Sequence, residues 1–395
     1  MNHISYDKIG EVVNLASKNI HALKSYTTHV GSFPRPEYLI SAFSERQQGK
    51  ISQEEFDEIL DLAIRSIVKL QVETGIDEIN DGEYSRLVYF SDITGLKGFT
   101  QNAVPLDFSA GDVYRTPILT GRIEYDAKNP LIAKEVKRVK GILGDLKAER
   151  KVKVTVPSSS HMKLFYPDTN SPFVPPQFKP QVKAAYERIR EFYPSLDDYV
   201  DEIKSIVVNE VDAAFKAGAD VVQFDSPDLS FSTDIQEAVD MNNSVISRFP
   251  PEKLELHICW GNYENTQIKT SGSFRDLLPT LYGLKVGTLG PLEIFDGLRD
   301  YKELEVFKEY PPSTQRLCAG IVSVKTRNVE PVETLKQRYL ALVEIVGPDG
   351  AVASPGCGFA SAGASKIISF ESAKRKLSNL VQAVRDIRKE YGETR

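Results

Sequence analysis

Cysteine is scarce in this chain, with three thiols, Cys259, Cys318 and Cys357, in 395 residues. An odd number so widely spaced builds no disulfide scaffold and fits a reducing, cytoplasmic setting. A basic excess is absent too: 49 Lys and Arg stand against 55 Asp and Glu, a net charge of −6. That balance argues against nucleic-acid or anionic-membrane partners, both of which reward a positive face. No apolar run approaches the roughly 20 residues of a membrane span. The opening residues Met1 to Lys8 lack the basic and apolar regions of a secretion signal. No linker, composition break or repeat divides the sequence, so one catalytic domain over 25–395 is expected, preceded by a helical extension within 1–24.

Eight apolar, strand-like runs alternate with helical periodicity. They lie near residues 26, 76, 152, 221, 254, 285, 317 and 350, and the pattern predicts a (β/α)8 TIM barrel, an α/β fold. Amphipathic helices are expected over 8–24, 53–74, 132–148, 196–217, 233–248, 301–309, 331–346 and 370–391, with Gly75 and Gly218 as stops. The turn-rich stretch 98–130 reads as an excursion from the barrel. The Pro-, Phe- and Tyr-rich stretch 164–194 reads as a long loop with a helix near 181–192, and loops of this length inside compact domains are usually lids or binding loops.

Barrel enzymes gather their chemistry at the C-terminal ends of the strands. The polar residues at the expected ends are Ser32, Glu83, Ser158, Asp225, His257 with Cys259, Glu293, Lys325 and Cys357. In an extended strand His257 and Cys259 share a face. With Cys357 on a Gly-bracketed turn and Glu293 ending another run, they form a possible ligand set for zinc, which prefers thiolate, imidazole and carboxylate. Cys318 lies within an apolar run and reads as core.

Five short segments carry a family resemblance. They are Thr27-Thr28-His29-Val30-Gly31-Ser32-Phe33-Pro34, Asp81-Gly82-Glu83 with Arg86, Gln223-Phe224-Asp225-Ser226-Pro227, His257-Ile258-Cys259, and Pro355-Gly356-Cys357-Gly358. In order and spacing, over roughly residues 25–390, the chain resembles the C-terminal catalytic barrel of cobalamin-independent methionine synthase. The resemblance implies zinc on His257, Cys259, Glu293 and Cys357, with Glu264 and Glu303 as competing carboxylates. It also implies that Ser32, Glu83 and Asp225 bind the amino-acid part of a small thiol such as homocysteine, and Ser158, at another strand end, is a further candidate for substrate binding. Lys325 stands where the family has a catalytic His, and Lys325 and Asp225 are the candidate catalytic groups. Ser226 replaces an acidic residue, no Trp occurs in 156–160, and there is no room for the second barrel that helps hold folate.

These departures are shared in kind with shorter single-barrel relatives, among them epoxyalkane:coenzyme M transferase. The expected activity is zinc-dependent alkylation of a small thiol, most simply methyl transfer to homocysteine. The alternative is opening of an epoxide or attack on another non-folate electrophile, with Lys325 protonating the alkoxide or pairing with an anionic tail. A metal-free decarboxylase of the related uroporphyrinogen decarboxylase type would lack the two cysteines at strand ends. The expected partners are a small thiol and an alkyl donor, with homo-oligomerisation left open.

Overall fold

A computed structural model describes residues 26–107, 113–170, 174–261, 272–297, 299–361 and 368–390. The helix expected over 8–24, and Glu264, lie outside the described residues. Eight parallel strands form one curved sheet: β1 (Tyr26–Thr27), β2 (Glu78–Ile79), β5 (Lys151–Pro157), β6 (Val221–Asp225), β7 (Leu254–Ile258), β8 (Thr288–Leu292), β9 (Arg316–Val322) and β10 (Ala351–Pro355). Their order is β1-β10-β9-β8-β7-β6-β5-β2, so the ladder runs around the barrel and stops at a seam between β1 and β2. Side chains close that seam. Asp77 accepts from the Thr27 amide at 2.8 Å and its hydroxyl at 2.7 Å. Glu78 accepts from the Thr28 hydroxyl at 2.6 Å. The barrel of the sequence reading is thus present, with the two strands flanking the seam reduced to two residues each.

The remaining two strands, β3 (Lys97–Asp107) and β4 (Val113–Glu124), pair antiparallel with each other and with no barrel strand, so the excursion expected over 98–130 is there, in the form of a two-stranded sheet. The strands β6, β7 and β10 are buried at every position. Parallel strands enclosed by helices have no solvent face, which is why they read as continuous apolar runs rather than alternating ones.

The long helices are α1 (Glu37–Gln47), α2 (Gln53–Thr74), α3 (Ile132–Leu146), α4 (Lys179–Ile189), α5 (Leu196–Lys216), α6 (Ile235–Ile246), α7 (Tyr301–Glu309), α8 (Val332–Gly350) and α9 (Phe370–Glu390). Helix α2 starts at a capping box in which Ser52 and Glu55 exchange hydrogen bonds. It ends at Gly75, whose φ of +82° suits a residue without Cβ. Its face of Phe56, Leu60, Ile64, Ile67 and Val68 is buried against the barrel. Helix α8 bends at Gly347, with φ +74° next to Pro348, so its periodic part ends where the sequence reading stopped it. Helix α1 has no counterpart in that reading. It begins directly after Pro36, and its apolar content, chiefly Leu39, Ala42 and Phe43, is too sparse for periodicity to reveal it.

Candidate functional site

Strand β7 carries His257 in its last turn of pleat and Cys259 one residue beyond its end, so the two side chains share a face. The turn after β10 brings Cys357 to them. One ligand atom from each lies within 4.8 Å of the others, and all three residues are buried. A ring nitrogen of His257, Nδ1, lies 2.6 Å from the Pro291 carbonyl. A carbonyl only accepts, so Nδ1 carries a proton, and Nε2 is the ring nitrogen left to face the thiols, where a metal would take the place of its proton. The two thiols are a coupled pair. Hydrogen bonding from Cys259, with the positive charges of Lys325 and His257, holds the Cys357 thiol well below its usual range against the cost of burial. The same bond, with burial, pushes Cys259 upward. The pair holds a thiolate and a proton where a cation is favoured.

Glu293 stands just past β8. Its Oε2 accepts from the Trp260 amide at 2.7 Å, and its Oε1 lies 3.2 Å from Lys325 Nζ. Burial raises its pKa to about 7, and Lys325 partly offsets this. Gly356 packs against it closely enough that an added Cβ would sit 3.3 Å from Glu293 Cγ, which makes the carboxylate a neighbour of the Cys357 turn. Among the three ligand atoms that converge within 4.8 Å, Glu293 is not a member. The competing Glu303 instead caps a turn, accepting from Ser273 and Phe274. Cys318 is buried in strand β9, 3.3 Å from the Ser354 hydroxyl, apart from the thiol pair.

Beside the thiols lie two acidic residues. Asp225 ends β6, and its Oδ1 accepts from Gln223 Nε2 at 2.7 Å. Glu83 sits in a left-handed turn, φ +56°, after Gly82, φ +72°. Three donors on Arg35 hold that turn through the carbonyls of Glu83, Arg86 and Ala360. Glu83 Oε1 accepts from Thr155 Oγ1 at 3.2 Å. Arg86, itself buried, lies 3.7 Å from Glu83 and also pairs with Asp92 and Glu135. Burial, relieved by Arg86 and aggravated by Asp225, pushes Glu83 up to about 7. Two buried oxygens, Asp225 Oδ2 and Glu83 Oε2, have no hydrogen-bond partner among the described residues.

Ser32 ties this pocket to the thiols. Its carbonyl accepts from the Phe359 amide at 2.8 Å, and an added Cβ at Gly358 would overlap its hydroxyl, so only glycine fits beside it. Ser158 caps the turn after β5 by accepting from the His161 amide, and its hydroxyl lies 2.8 Å from that of Ser226. Ser158 therefore belongs to a hydroxyl network with Ser160 and Asn242 behind the site.

Sequence reasoning passed over a further group. Tyr89 Oη lies 2.9 Å from His161 Nε2, and His161 Nδ1 lies 3.8 Å from Asp228 Oδ1. Burial brings His161 down to about 3, so its ring is neutral. Burial raises Tyr89 as well, followed by the charges of Cys259 and Asp225, so the phenol feels the thiol centre. His161 does not line the neighbouring cleft of about 800 Å³, but Ser160, Phe165, Tyr166, Asp228 and Phe231 do.

Thiols, an imidazole and paired carboxylates at the C-terminal mouth of a parallel eight-stranded barrel define a barrel enzyme with a thiol-rich centre. The family model for the catalytic domain of cobalamin-independent synthase matches residues 25–144 and 188–385, and the chain belongs to that family. It is an enzyme of the methionine synthase type. The methionine synthase of Pyrococcus furiosus is 26% identical over 368 residues, covering 92% of this chain and 93% of its own. That of Sulfolobus acidocaldarius is 25% identical over 370 residues, covering 92% of each. Among solved structures, the B12-independent methionine synthase from Shewanella sp. W3-18-1, in complex with selenomethionine, superposes with a TM-score of 0.71 at 19% identity. It covers 93% of this chain and 98% of that one, a likeness of fold.

Proposed function

We propose that this protein is a zinc-dependent transferase that methylates a small amino-acid thiol, most simply homocysteine to methionine. The observation that carries this reading is the neighbourhood of two features. One is the His257, Cys259 and Cys357 cluster; the other is the pair of unpartnered carboxylate oxygens on Asp225 and Glu83. Ligand atoms around a tetrahedral zinc are roughly 3.5 Å apart, from metal–ligand lengths of about 2.0–2.3 Å, and a cluster within 4.8 Å meets that spacing with little adjustment. His257 through Nε2, Cys259 and Cys357 would hold the ion, with Glu293 as the fourth donor. Zinc bound there supplies one thing, a substrate thiol kept deprotonated yet nucleophilic at neutral pH.

The chain's own groups do the rest. Asp225 Oδ2 and Glu83 Oε2 take the substrate's ammonium, because a buried carboxylate oxygen without a donor is satisfied best by a charged one. The turn carrying Ser32 faces the substrate's carboxylate. Lys325, paired with Glu293, keeps a fixed positive charge beside the sulfur atoms and lends a proton at Nζ as the leaving atom gains electrons. The aromatic cleft neighbouring His161 admits the alkyl donor, and Ile118 of β4 forms part of its wall. The three buried thiols suit a reducing cytoplasm. A lysine in this position also suits an alkoxide leaving group, the observation that favours epoxide opening as the second reading.

The test is a donor screen on zinc-loaded protein with homocysteine as acceptor, read by mass spectrometry of the thioether. Methionine formed from a methyl donor supports methyl transfer. A hydroxyalkyl thioether formed only from epoxides would move the protein to the second reading, and no thioether from any donor would defeat both.

A further inference from the structure

Beneath Asp225, inside the barrel, lies a layer of charge that the reaction does not use. Lys153 on β5 is fully buried, 3.3 Å from Glu255 on β7 and 3.6 Å from Glu78 on β2. It also donates to Thr28 Oγ1 at 2.5 Å and to Gln223 Oε1 at 2.9 Å. Gln223 is the link upward. Its Nε2 donates to Val30 O at 2.9 Å and to Asp225 Oδ1 at 2.7 Å.

An amide can be turned either way, but this one has a single consistent orientation. An ammonium offers only donors, while a carbonyl and a carboxylate offer only acceptors. With Oε1 on Lys153, both Nε2 protons fall on acceptors and every contact is attractive. Turned over, the amide would set oxygen against the Val30 carbonyl and the Asp225 carboxylate, and NH2 against an ammonium. Lys153 therefore fixes the polarity of Gln223. Gln223 in turn occupies one oxygen of Asp225, sets the plane of its carboxylate, and leaves Oδ2 without a partner among the described residues. Through Val30 the same amide anchors the start of the turn that carries Ser32. Lys153 also neutralises carboxylates that would otherwise repel Asp225 from below. Burial and the neighbouring Glu255 raise Glu78 to about 8, so Glu78 is largely protonated at neutral pH.

We infer that Lys153 and Gln223 are positioning residues which, by fixing the orientation of the Asp225 carboxylate with one oxygen left open, make the site selective for thiols that carry an ammonium group. This inference rests on the proposed role of Asp225 in binding the substrate's ammonium. Gln223 reaches upward only to Asp225 and the Val30 carbonyl, so loss of the layer is expected to remove the preference for the amine and not thiol binding as such.

The experiment is isothermal titration of the full-length, zinc-loaded protein with L-homocysteine and with 4-mercaptobutanoate, the same chain without the amine. Wild type should bind homocysteine tighter, by about tenfold or more for a charge-assisted contact. In Gln223→Met that preference should fall by about tenfold, while the affinity for 4-mercaptobutanoate stays within about twofold. Lys153→Met should move the preference in the same direction, and it decides the matter if Gln223→Met proves unfolded by circular dichroism. A folded variant that keeps the wild-type preference, or that loses both thiols equally, overturns the inference. Wild-type protein with no preference between the two thiols would instead overturn the role given to Asp225, a result distinguishable because it appears before any substitution is made.

Discussion

Replacing Asp225 by Asn is the sharpest single perturbation of the proposed substrate pocket. Gln223 Nε2 donates to Oδ1 of Asp225 at 2.7 Å, so the new amide must turn its oxygen to that donor. Its NH2 then falls where Oδ2 stood, the oxygen that has no partner among the described residues. The change is nearly isosteric and keeps the turn after β6. At the substrate, however, it replaces an attraction between opposite charges by a donor facing an ammonium. A buried charge-assisted hydrogen bond truncated on one side costs about 2–4 kcal/mol, or roughly 30- to 1,000-fold in affinity at about 1.4 kcal/mol per decade. Titration calorimetry with homocysteine should show a loss in that range, while 4-mercaptobutanoate binds within about threefold of wild type. Equal losses for both thiols, or a loss for homocysteine of less than about threefold, would refute the assignment of Asp225 to the ammonium.

Other outcomes follow from the same geometry. Glu83 is raised to about 7, so its carboxyl is protonated and neutral below that pH; the amine-dependent part of binding should strengthen as pH rises from 6 to 8, measured as the homocysteine to 4-mercaptobutanoate ratio, and a flat ratio would contradict it. Lys325→Met removes the cation beside Glu293 and the thiols; single-turnover methyl transfer should slow by about 10²-fold or more with zinc retained, and an unchanged rate would leave Lys325 without the role given to it. Cys318→Ala should leave zinc stoichiometry at the wild-type value, because Cys318 lies in the core beside Ser354; a fall in zinc by elemental analysis would implicate it as a ligand. Ser52→Ala removes the side-chain half of the capping box on helix α2, the Ser52 hydroxyl that accepts from the Glu55 amide, and should cost about 1 kcal/mol, seen as a fall of a few degrees in Tm with activity unchanged at 25 °C.

Much of the site was legible because the fold imposes one rule: in a parallel barrel, polar residues that interrupt apolar strand runs at their C-terminal ends converge. His257, Cys259 and Cys357 stand 98 residues or more from one side of the cluster to the other, yet their strand-end positions alone were enough to bring them together. The carboxylates Glu83 and Asp225 followed by the same rule. What stayed hidden depended on partners rather than positions. Glu293 and Lys325 were each visible at a strand end, but their 3.2 Å pairing across β8 and β9 leaves no trace in spacing. Tyr89, His161 and Asp228 lie on a turn, a short helix and a 3-10 turn that follow three different strands, and a Tyr, a His in a serine run and an Asp after a proline look like ordinary connecting residues until the barrel closes. In sequence Lys153 alternates with Val152 and Val154, a pattern that mimics a half-exposed strand. A parallel strand in a barrel has no outer, solvent-facing side of that kind, and Lys153 points inward to two glutamates. The seam was equally invisible, because β1 and β2 meet through the side chains of Thr27, Thr28, Asp77 and Glu78 instead of a ladder.

The central claim is that His257, Cys259 and Cys357 form a zinc centre that activates a substrate thiol. Elemental analysis of protein purified without added metal tests it most directly, with Cys357→Ser analysed alongside. Wild-type protein should hold close to one zinc per chain and the variant should lose most of it, with both proteins folded by circular dichroism. Zinc absent from wild-type protein even after incubation with the ion, or equally retained by the variant, would contradict it.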